Sequence, residues 1–133
     1  MNYQRTATLD QLAARIKAAD RVVCTAHAKP DGDAAGSVVA LTRALASTHQ
    51  VQAWLAGPVP PPMYAIIGDT PWISIRESSD IPTQEPDLII VLDTGARSQL
   101  YPIVEWLDAR RDRVIGIDHH ASGDDVAPER FID

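Results

Sequence analysis

Short apolar runs alternate along the chain with segments in which hydrophobic residues recur at helical spacing. The apolar runs are rich in Val, Ile and Leu, and they predict β-strands at residues 21–26, 51–55, 72–75, 88–92 and 113–117. The run at 88–92 is unbroken, as expected of a central parallel strand covered on both faces. Strands that alternate with helices predict one doubly wound, mainly parallel α/β domain of the Rossmann-like type.

Four segments show the helical spacing, at residues 9–20, 34–48, 63–67 and 102–109. Thr8 precedes the first of them and is expected to cap it. Asp33 stands where a cap of the second helix is expected. The final residues, 121–133, show neither spacing and are predicted to be irregular.

The composition narrows the class of protein. The chain of 133 residues is long enough for one domain, and 45% hydrophobic with 23% charged residues is ordinary for a soluble globular protein. No apolar run approaches the roughly 18 residues of a membrane span, and the N-terminus does not resemble a signal peptide. Cys24 is the single cysteine and is predicted to be a buried structural thiol. We therefore expect a cytoplasmic enzyme without a membrane partner.

The charge bears on the substrate. A net charge of −6 disfavours an extended basic surface for nucleic acid. Much of the acidity, however, lies in segments that could bind cations, and two divalent ions would offset four of these negative charges. An anionic substrate that binds at such ions is therefore compatible with the composition.

Three polar segments each follow a predicted strand. They are residues 27–33, Asp93-Thr94-Gly95 and Asp118-His119-His120. Because loops at the carboxyl ends of parallel strands converge on one crevice, these side chains are expected to lie together. A cluster of imidazoles and carboxylates is what a pair of divalent cations needs, so phosphoester chemistry is the leading hypothesis.

Each segment also has a simpler explanation. Asp33 could be only a helix cap, Asp93 could be only part of a turn, and the Asp-His-His triplet could be a polar turn. Adjacent residues of an extended chain point in opposite directions, so His119 and His120 are expected to differ in role. One would ligate a metal and the other would contact substrate, while Asp118 would fix an imidazole tautomer.

Other polar residues are weaker candidates. Arg97 could reach a phosphate, although a salt bridge at a helix end is the favoured interpretation. His49 is predicted to be a solvated surface histidine, and Asp124 and Asp125 are predicted to lie in a solvated loop. The sequence contains no P-loop, no Cys-x-x-Cys pair and no Gly-x-Ser-x-Gly elbow.

The three segments together resemble the first three motifs of the DHH phosphoesterase superfamily, which includes the RecJ-like enzymes. The matching residues are His27-x-x-Pro30-Asp31-Gly32-Asp33-Ala34-x-Gly36-Ser37, Asp93-Thr94 and Asp118-His119-His120. The first motif is most similar to the branch of nano-RNases and 3′-phosphoadenosine-5′-phosphate phosphatases. RecJ-type exonucleases usually lack its leading His, and family II pyrophosphatases usually have Thr where Gly32 stands.

The resemblance implies a role for each matching residue. One metal would be held by His27, Asp31 and Asp93, and the other by Asp33, Asp93 and His119. His120 would contact the scissile phosphate and Asp118 would support the site. Arg97 and Ser37 are further candidates for substrate contacts. The family uses two divalent ions, manganese above all, with Mg²⁺ or Co²⁺ as alternatives, and the absence of a thiolate ligand independently suits such metals.

The resemblance also implies a substrate and a domain organisation. The expected activity is hydrolysis of short oligoribonucleotides or 3′-phosphonucleotides. The alternatives are a catalytically weak metal- or nucleotide-binding module, or a pyrophosphatase or exonuclease of the same superfamily. The domain could also pair with a second copy of itself as a homodimer. A fourth motif and a C-terminal substrate-binding domain would lie beyond Asp133, so we interpret residues 1–133 as a truncated DHH domain of low activity by itself.

Overall fold

A computed structural model of the protein describes residues 3–133, which form a six-stranded sheet flanked by helices. The strands are β1 (Arg21–Ala26), β2 (Gln50–Ala56), β3 (Ile73–Ile75), β4 (Leu88–Leu92), β5 (Val114–Asp118) and β6 (Glu129–Ile132). The helices are α1 (Leu9–Ala18), α2 (Gly32–Leu45), α3 (Met63–Ile67) and α4 (Val104–Asp108). Short 3₁₀ turns lie at Ser78–Asp80, Arg97–Gln99 and Arg111–Arg113. No helix in residues 3–133 is long and apolar enough to cross a membrane.

All neighbouring strands of the sheet are parallel, in the order β3-β2-β1-β4-β5-β6. This confirms the predicted doubly wound α/β fold. The strand order reverses between β1 and β4, which is where open α/β sheets bind ligands. Ala26 pairs with Leu92, which in turn pairs with Ile117, so β1, β4 and β5 reach the same level at their carboxyl ends.

The hydrophobic core has two parts, one on each face of the sheet, and successive side chains of β4 point into them alternately. Leu88, Ile90 and Leu92 belong to the cluster that packs against α1 and α2. Ile89 and Val91 belong to a second cluster on the opposite face, with residues of α4. All five side chains are buried, which explains why the sequence of this strand is a continuous apolar run rather than an alternating one.

The caps of the first two helices differ in how well the sequence predicts them. Thr8 caps α1 as predicted, because its side chain accepts a hydrogen bond from the Gln11 amide while the Gln11 side chain accepts from the Thr8 amide. The prediction of Asp33 as the cap of α2 is wrong. Asp31 is the cap, with its carboxylate accepting from the Ala34 amide at 3.0 Å. Helix α2 therefore begins two residues earlier than predicted, since Gly32 adopts the helical conformation directly after the extended Asp31.

The prediction that residues 121–133 are irregular is correct for residues 121–128 but wrong for Glu129–Ile132, which forms β6 beside β5. The sequence pattern does not indicate this strand because Arg130 is a charged residue at a position where a buried strand normally has an apolar one. Arg130 is buried, and one terminal nitrogen of its guanidinium donates to the Ala127 carbonyl and to Asp125 while its Nε donates to the Gln4 carbonyl. These hydrogen bonds, one of them to a carboxylate, make a buried cation tolerable in this edge strand.

Candidate metal centre

Asp93, directly after β4, lies at the centre of the candidate site. Its φ of 63° lies in the left-handed region, which costs an L-residue about 1–2 kcal/mol but which Asp tolerates better than most. Its amide donates to the Ile117 carbonyl at 2.9 Å, so the turn is tied to the neighbouring strand. The carboxylate is buried, and its two oxygens face different partners. Oδ1 lies 2.7 Å from His119 Nε2, and Oδ2 lies 3.6 Å from His27 Nε2.

The first donor cluster consists of His27, Asp31 and Asp93. His27 Nε2 lies 3.5 Å from Asp31 Oδ1, and its Nδ1 lies 2.9 Å from the Ala28 carbonyl oxygen. A carbonyl can only accept, so Nδ1 carries the proton and Nε2 is left as the ligating nitrogen. The Ala34 amide and the neighbouring His27 hold the pKa of Asp31 below its usual value. The Asp31 carboxyl therefore favours the ionised form that a cation requires.

The second donor cluster consists of Asp93, Asp118, His119 and His120. One donor atom from each residue lies within 4.8 Å of the others. The histidine side chains are half exposed or more, whereas the two carboxylates are buried. The imidazoles therefore form the solvent side of the cluster and the carboxylates its base.

Asp118 is occupied by hydrogen bonds on both oxygens. Oδ1 accepts from His120 Nδ1 at 2.6 Å and from the His119 amide at 2.8 Å, and Oδ2 accepts from the Tyr3 hydroxyl at 3.0 Å. Burial alone would raise the pKa of Asp118, but the hydrogen bonds from His120, the His119 amide and Tyr3 outweigh it and lower that pKa. The carboxylate is therefore ionised and orients its neighbours, as expected of a supporting residue.

His120 is held by Asp118 through one ring nitrogen. Its hydrogen bond to that carboxylate is the main cause that raises the pKa of His120. The Nδ1 atom faces Asp118, and no residue in the described part of the chain hydrogen bonds Nε2. His120 is thus oriented by the protein and has one nitrogen free for an oxygen of an incoming ligand.

The donor geometry fits divalent cations. Ligands about 2.0–2.1 Å from an octahedral ion lie roughly 3 Å apart when adjacent and roughly 4 Å apart when opposite. The donors around His27, at 3.5 Å and 3.6 Å, lie somewhat farther apart than adjacent octahedral ligands and are near enough to approach one ion together. Imidazole and carboxylate donors without thiolate suit Mn²⁺ or Mg²⁺. The two clusters share Asp93 through different oxygens, as one carboxylate that serves two ions would require.

Six predicted site residues share these two clusters, namely His27, Asp31, Asp93, Asp118, His119 and His120. Asp33 belongs to neither cluster in the described residues and lies exposed in the first turn of α2, so its role as a ligand stays a prediction. Ser37 lines a groove that also contains Asp93 and His119. Arg97 donates two hydrogen bonds of 2.7 Å to Asp108. This is the salt bridge that the sequence favours for Arg97, rather than a contact with substrate.

Two aspartates near the site do more than the sequence indicates. Asp124 and Asp125 are exposed, as predicted, but their carboxylates also bond to the protein. Asp124 joins two loops, since its carboxylate accepts from the Arg97 amide and its own amide donates to the Gly95 carbonyl. Asp125 accepts from the buried Arg130 guanidinium at 2.9 Å. The sequence pattern predicts the exposure of this loop but not the partners that its side chains find.

Two further contacts have no signal in the sequence. His49, predicted to be a solvated histidine, is half-buried, with Nε2 2.8 Å from the Ile16 carbonyl oxygen. Tyr3 hydrogen bonds Asp118 from a position 115 residues away in the chain. No local sequence pattern marks Tyr3, since its partner is chosen by the tertiary fold.

The parallel sheet and the clustered donors define an α/β domain with a candidate centre for two metals at its switch point. The family model of the DHH family, N-terminal domain, matches residues 21–132 of this chain. The chain therefore belongs to the DHH family. Its fold is similar to the crystal structure of an exopolyphosphatase-related protein from Bacteroides fragilis, with a TM-score of 0.69 and 24% identity. The match covers 92% of this chain and 37% of that one.

Proposed function

We propose that this domain is the metal-binding catalytic domain of a phosphoric ester hydrolase. The observation that carries the proposal is the position of Asp93, whose two oxygens face two separate donor sets at the switch point of the sheet. Membership of the DHH family supports the same class of chemistry. Two divalent cations bound there would polarise a phosphoryl group, lower the pKa of a bound water and stabilise the developing charge.

The side chains of this chain divide the work in the proposal. His27, Asp31 and Asp93 hold one ion, and Asp33, Asp93 and His119 hold the other. His120 contacts a phosphate oxygen through Nε2, because Nδ1 is occupied by Asp118. Asp118 does not contact the substrate but keeps the His120 ring in one orientation.

The proposed substrate is a short oligoribonucleotide or a 3′-phosphonucleotide such as 3′-phosphoadenosine-5′-phosphate. The support is the first motif, in which His27 leads and Gly32 separates the two aspartates. The Bacteroides fragilis relative is described as related to exopolyphosphatases, which favours a phosphoanhydride as the second candidate. Manganese is the proposed ion.

The division of labour between domains belongs to the same proposal. This chain spans 37% of the length of the Bacteroides fragilis protein that it resembles. We assign the metal chemistry to residues 1–133 and most of the positioning of substrate to a second domain of the DHH enzymes, so we expect slow hydrolysis by this chain. The competing interpretation is that this domain binds metal or nucleotide without catalysis.

The test combines a metal titration with a panel of substrates. We expect calorimetric titration with MnCl₂ to show binding, and we expect hydrolysis of an adenosine dinucleotide or of 3′-phosphoadenosine-5′-phosphate to exceed that of inorganic pyrophosphate. His120→Ala should remove that hydrolysis while Mn²⁺ binding persists. His49→Ala, on the opposite side of the domain from the site, is the matched control.

Each result decides between the alternatives. Mn²⁺ binding with no hydrolysis of any substrate would favour the binding module. Preferred hydrolysis of pyrophosphate would move the substrate to the phosphoanhydrides. No Mn²⁺ binding by the unmutated protein would overturn the proposal.

A further inference from the structure

The N-terminal segment runs along the outer edge of β6 and is fixed there. The amides of Thr6 and Ala7 both donate to the Arg130 carbonyl, at 2.9 and 3.1 Å. The Thr6 hydroxyl donates to the Pro128 carbonyl and accepts from the Arg130 amide, and the Arg5 guanidinium donates to the Ile132 carbonyl. Tyr3 directly precedes this segment. The hydrogen bonds to β6 therefore fix the backbone that places Tyr3 beside Asp118.

Two glycines leave the space that the Tyr3 ring occupies. A Cβ atom on Gly95, in the loop after β4, would collide with the Tyr3 hydroxyl oxygen. A Cβ atom on Gly123, in the loop after β5, would lie 2.8 Å from the ring. The guanidinium carbon of Arg130 lies 5.3 Å from the ring centroid, within the range of a cation–π contact. The ring therefore lies against the loops that follow β4 and β5, two of the three loops that carry candidate site residues.

The hydroxyl of Tyr3 reaches the one carboxylate that supports the histidines. It donates to Asp118 Oδ2 at 3.0 Å, and Oδ1 of the same group accepts from His120 and from the His119 amide. Burial, followed by the nearby charge of Asp118, raises the pKa of the Tyr3 hydroxyl. The phenol therefore remains a donor. Without it, Oδ2 would be a buried acceptor with no partner in the described residues, at the cost of an unmade hydrogen bond to a charged group.

We infer that Tyr3 is a positioning residue for the candidate metal centre: its hydroxyl fixes the Asp118 carboxylate, and Asp118 in turn fixes the His120 ring. The inference rests on the proposed function only where His120 is taken to contact substrate. The contact chain from Tyr3 through Asp118 to His120 stands on the geometry of the protein itself. In the described residues Tyr3 makes no hydrogen bond to His27, Asp31 or Asp93, so its influence on the centre passes through Asp118.

The test compares Tyr3→Phe with Tyr64→Phe. The first substitution keeps the ring between the two glycine loops and removes only the hydroxyl, whereas Tyr64 is 52% exposed and serves as the matched control. The first measurement is the ¹H–¹⁵N NMR spectrum of the imidazole side chains in metal-free protein at about pH 7. We expect Tyr3→Phe to shift and broaden the His120 Nδ1 resonance while the His27 resonances stay in place. We expect Tyr64→Phe to leave both unchanged.

The second measurement is the steady-state kinetics of whichever phosphoester the unmutated protein hydrolyses best. We expect kcat to fall by about 10–100-fold in Tyr3→Phe, the range for loss of a partner that orients a site histidine, with KM within about twofold. Asp118→Asn combined with Tyr3→Phe should cost no more than Asp118→Asn alone, because both act through one carboxylate. Thermal melting of each variant separates this effect from loss of folding.

The outcomes separate this inference from the proposed function. Unchanged His120 resonances and unchanged kcat in folded Tyr3→Phe would overturn the positioning role. A protein with no Mn²⁺ binding and no hydrolysis would overturn the proposed function, and the NMR comparison would still decide the role of Tyr3. Additive losses in the double variant would also count against the inference, since they would mean that Tyr3 acts by another route.

Discussion

Asp93 Oδ2 lies 3.6 Å from His27 Nε2, across the point at which the strand order of the sheet reverses. The other oxygen, Oδ1, lies 2.7 Å from His119, which follows the next strand. One carboxylate at the end of β4 therefore faces groups at the ends of both neighbouring strands, β1 and β5. The left-handed backbone conformation at Asp93 is energetically unfavourable by itself. The buried turn and its hydrogen bond to the neighbouring strand hold it in place, as is common where a fold positions functional groups.

This relationship predicts that Asp93→Asn weakens Mn²⁺ binding more than Asp118→Asn does. Asp93 presents an oxygen to each donor cluster, whereas both oxygens of Asp118 are engaged by protein donors. Loss of a residue that orients ligands costs about 10–100-fold in affinity, and loss of a shared ligand should exceed that. Calorimetric titration of both variants measures the difference.

Asp87→Asn provides the control for that titration, because Asp87 lies at the opposite end of the sheet beside the start of β1. Its Mn²⁺ affinity should match that of the unmutated protein. Equal losses in Asp93→Asn and Asp118→Asn would contradict the assignment of Asp93 as the shared ligand.

Asp87 itself predicts a dependence of stability on pH. Its carboxylate accepts from the Arg21 and Asp20 amides, and these hydrogen bonds, that of Arg21 first, lower the pKa of Asp87. A group whose pKa is lower in the folded protein stabilises it above the unfolded pKa of about 3.9 and loses that contribution as the pH falls through the folded pKa. The amide that Asp87→Asn introduces resembles the protonated carboxyl at every pH. The melting temperature of this variant should therefore lie below that of the unmutated protein at about pH 7, and the gap should close below about pH 4.

A gap that stays constant down to low pH would mean that Asp87 stabilises the fold by packing rather than by its charge. Asp69→Asn is a suitable comparison, since Asp69 is an exposed carboxylate that pairs with the exposed Arg43. Its effect on the melting temperature should be small at any pH.

The sequence predicts the sheet and most of the side chains that meet at its carboxyl edge, and one physical reason explains both. The strands that carry site residues are buried on both faces, so their apolar runs are unambiguous, and parallel topology then brings their ends together. His27, Asp93 and the Asp118-His119-His120 triplet lie at those ends. Their meeting therefore needs no information beyond the strand positions.

The errors fall where tertiary contacts override local pattern. Strand β6 escapes prediction because Arg130 is buried through hydrogen bonds that only the folded chain supplies. The cap of α2 is Asp31 rather than Asp33, since both are good caps and only the backbone angles decide. Tyr3 has no signal because its partner, Asp118, lies 115 positions away in the sequence.

Cys24 is predicted to be unreactive in the folded protein. The residue lies on β1 with no exposed surface, and burial raises the pKa of its thiol to about 12. The thiolate is the reactive form, so labelling by a disulfide reagent at about pH 8 should occur only after unfolding. The measurement is the rate of labelling with and without urea, and a rate in native buffer similar to that of a free thiol would contradict the buried position.

Gly95→Ala should disturb His120 without any direct contact between the two residues. The added methyl group would overlap the Tyr3 hydroxyl oxygen and the ring carbon that carries it, so the Tyr3 side chain must move away from Asp118. We expect a loss of about 1–3 kcal/mol in the free energy of unfolding, the usual range for overpacking. The His120 resonance should shift as in Tyr3→Phe.

Two comparisons identify Tyr3 as the residue that Gly95→Ala displaces. In a Tyr3→Ala background the same glycine substitution should cost little, because the clash has been removed. Gly36→Ala is the matched control: Gly36 lies within α2 with no atom near its added Cβ, so the change should stabilise the protein by about 0.5–1 kcal/mol. Urea unfolding of these variants, together with the NMR spectra, measures both effects. A full cost of Gly95→Ala in the Tyr3→Ala background would show that the methyl group collides with something other than Tyr3.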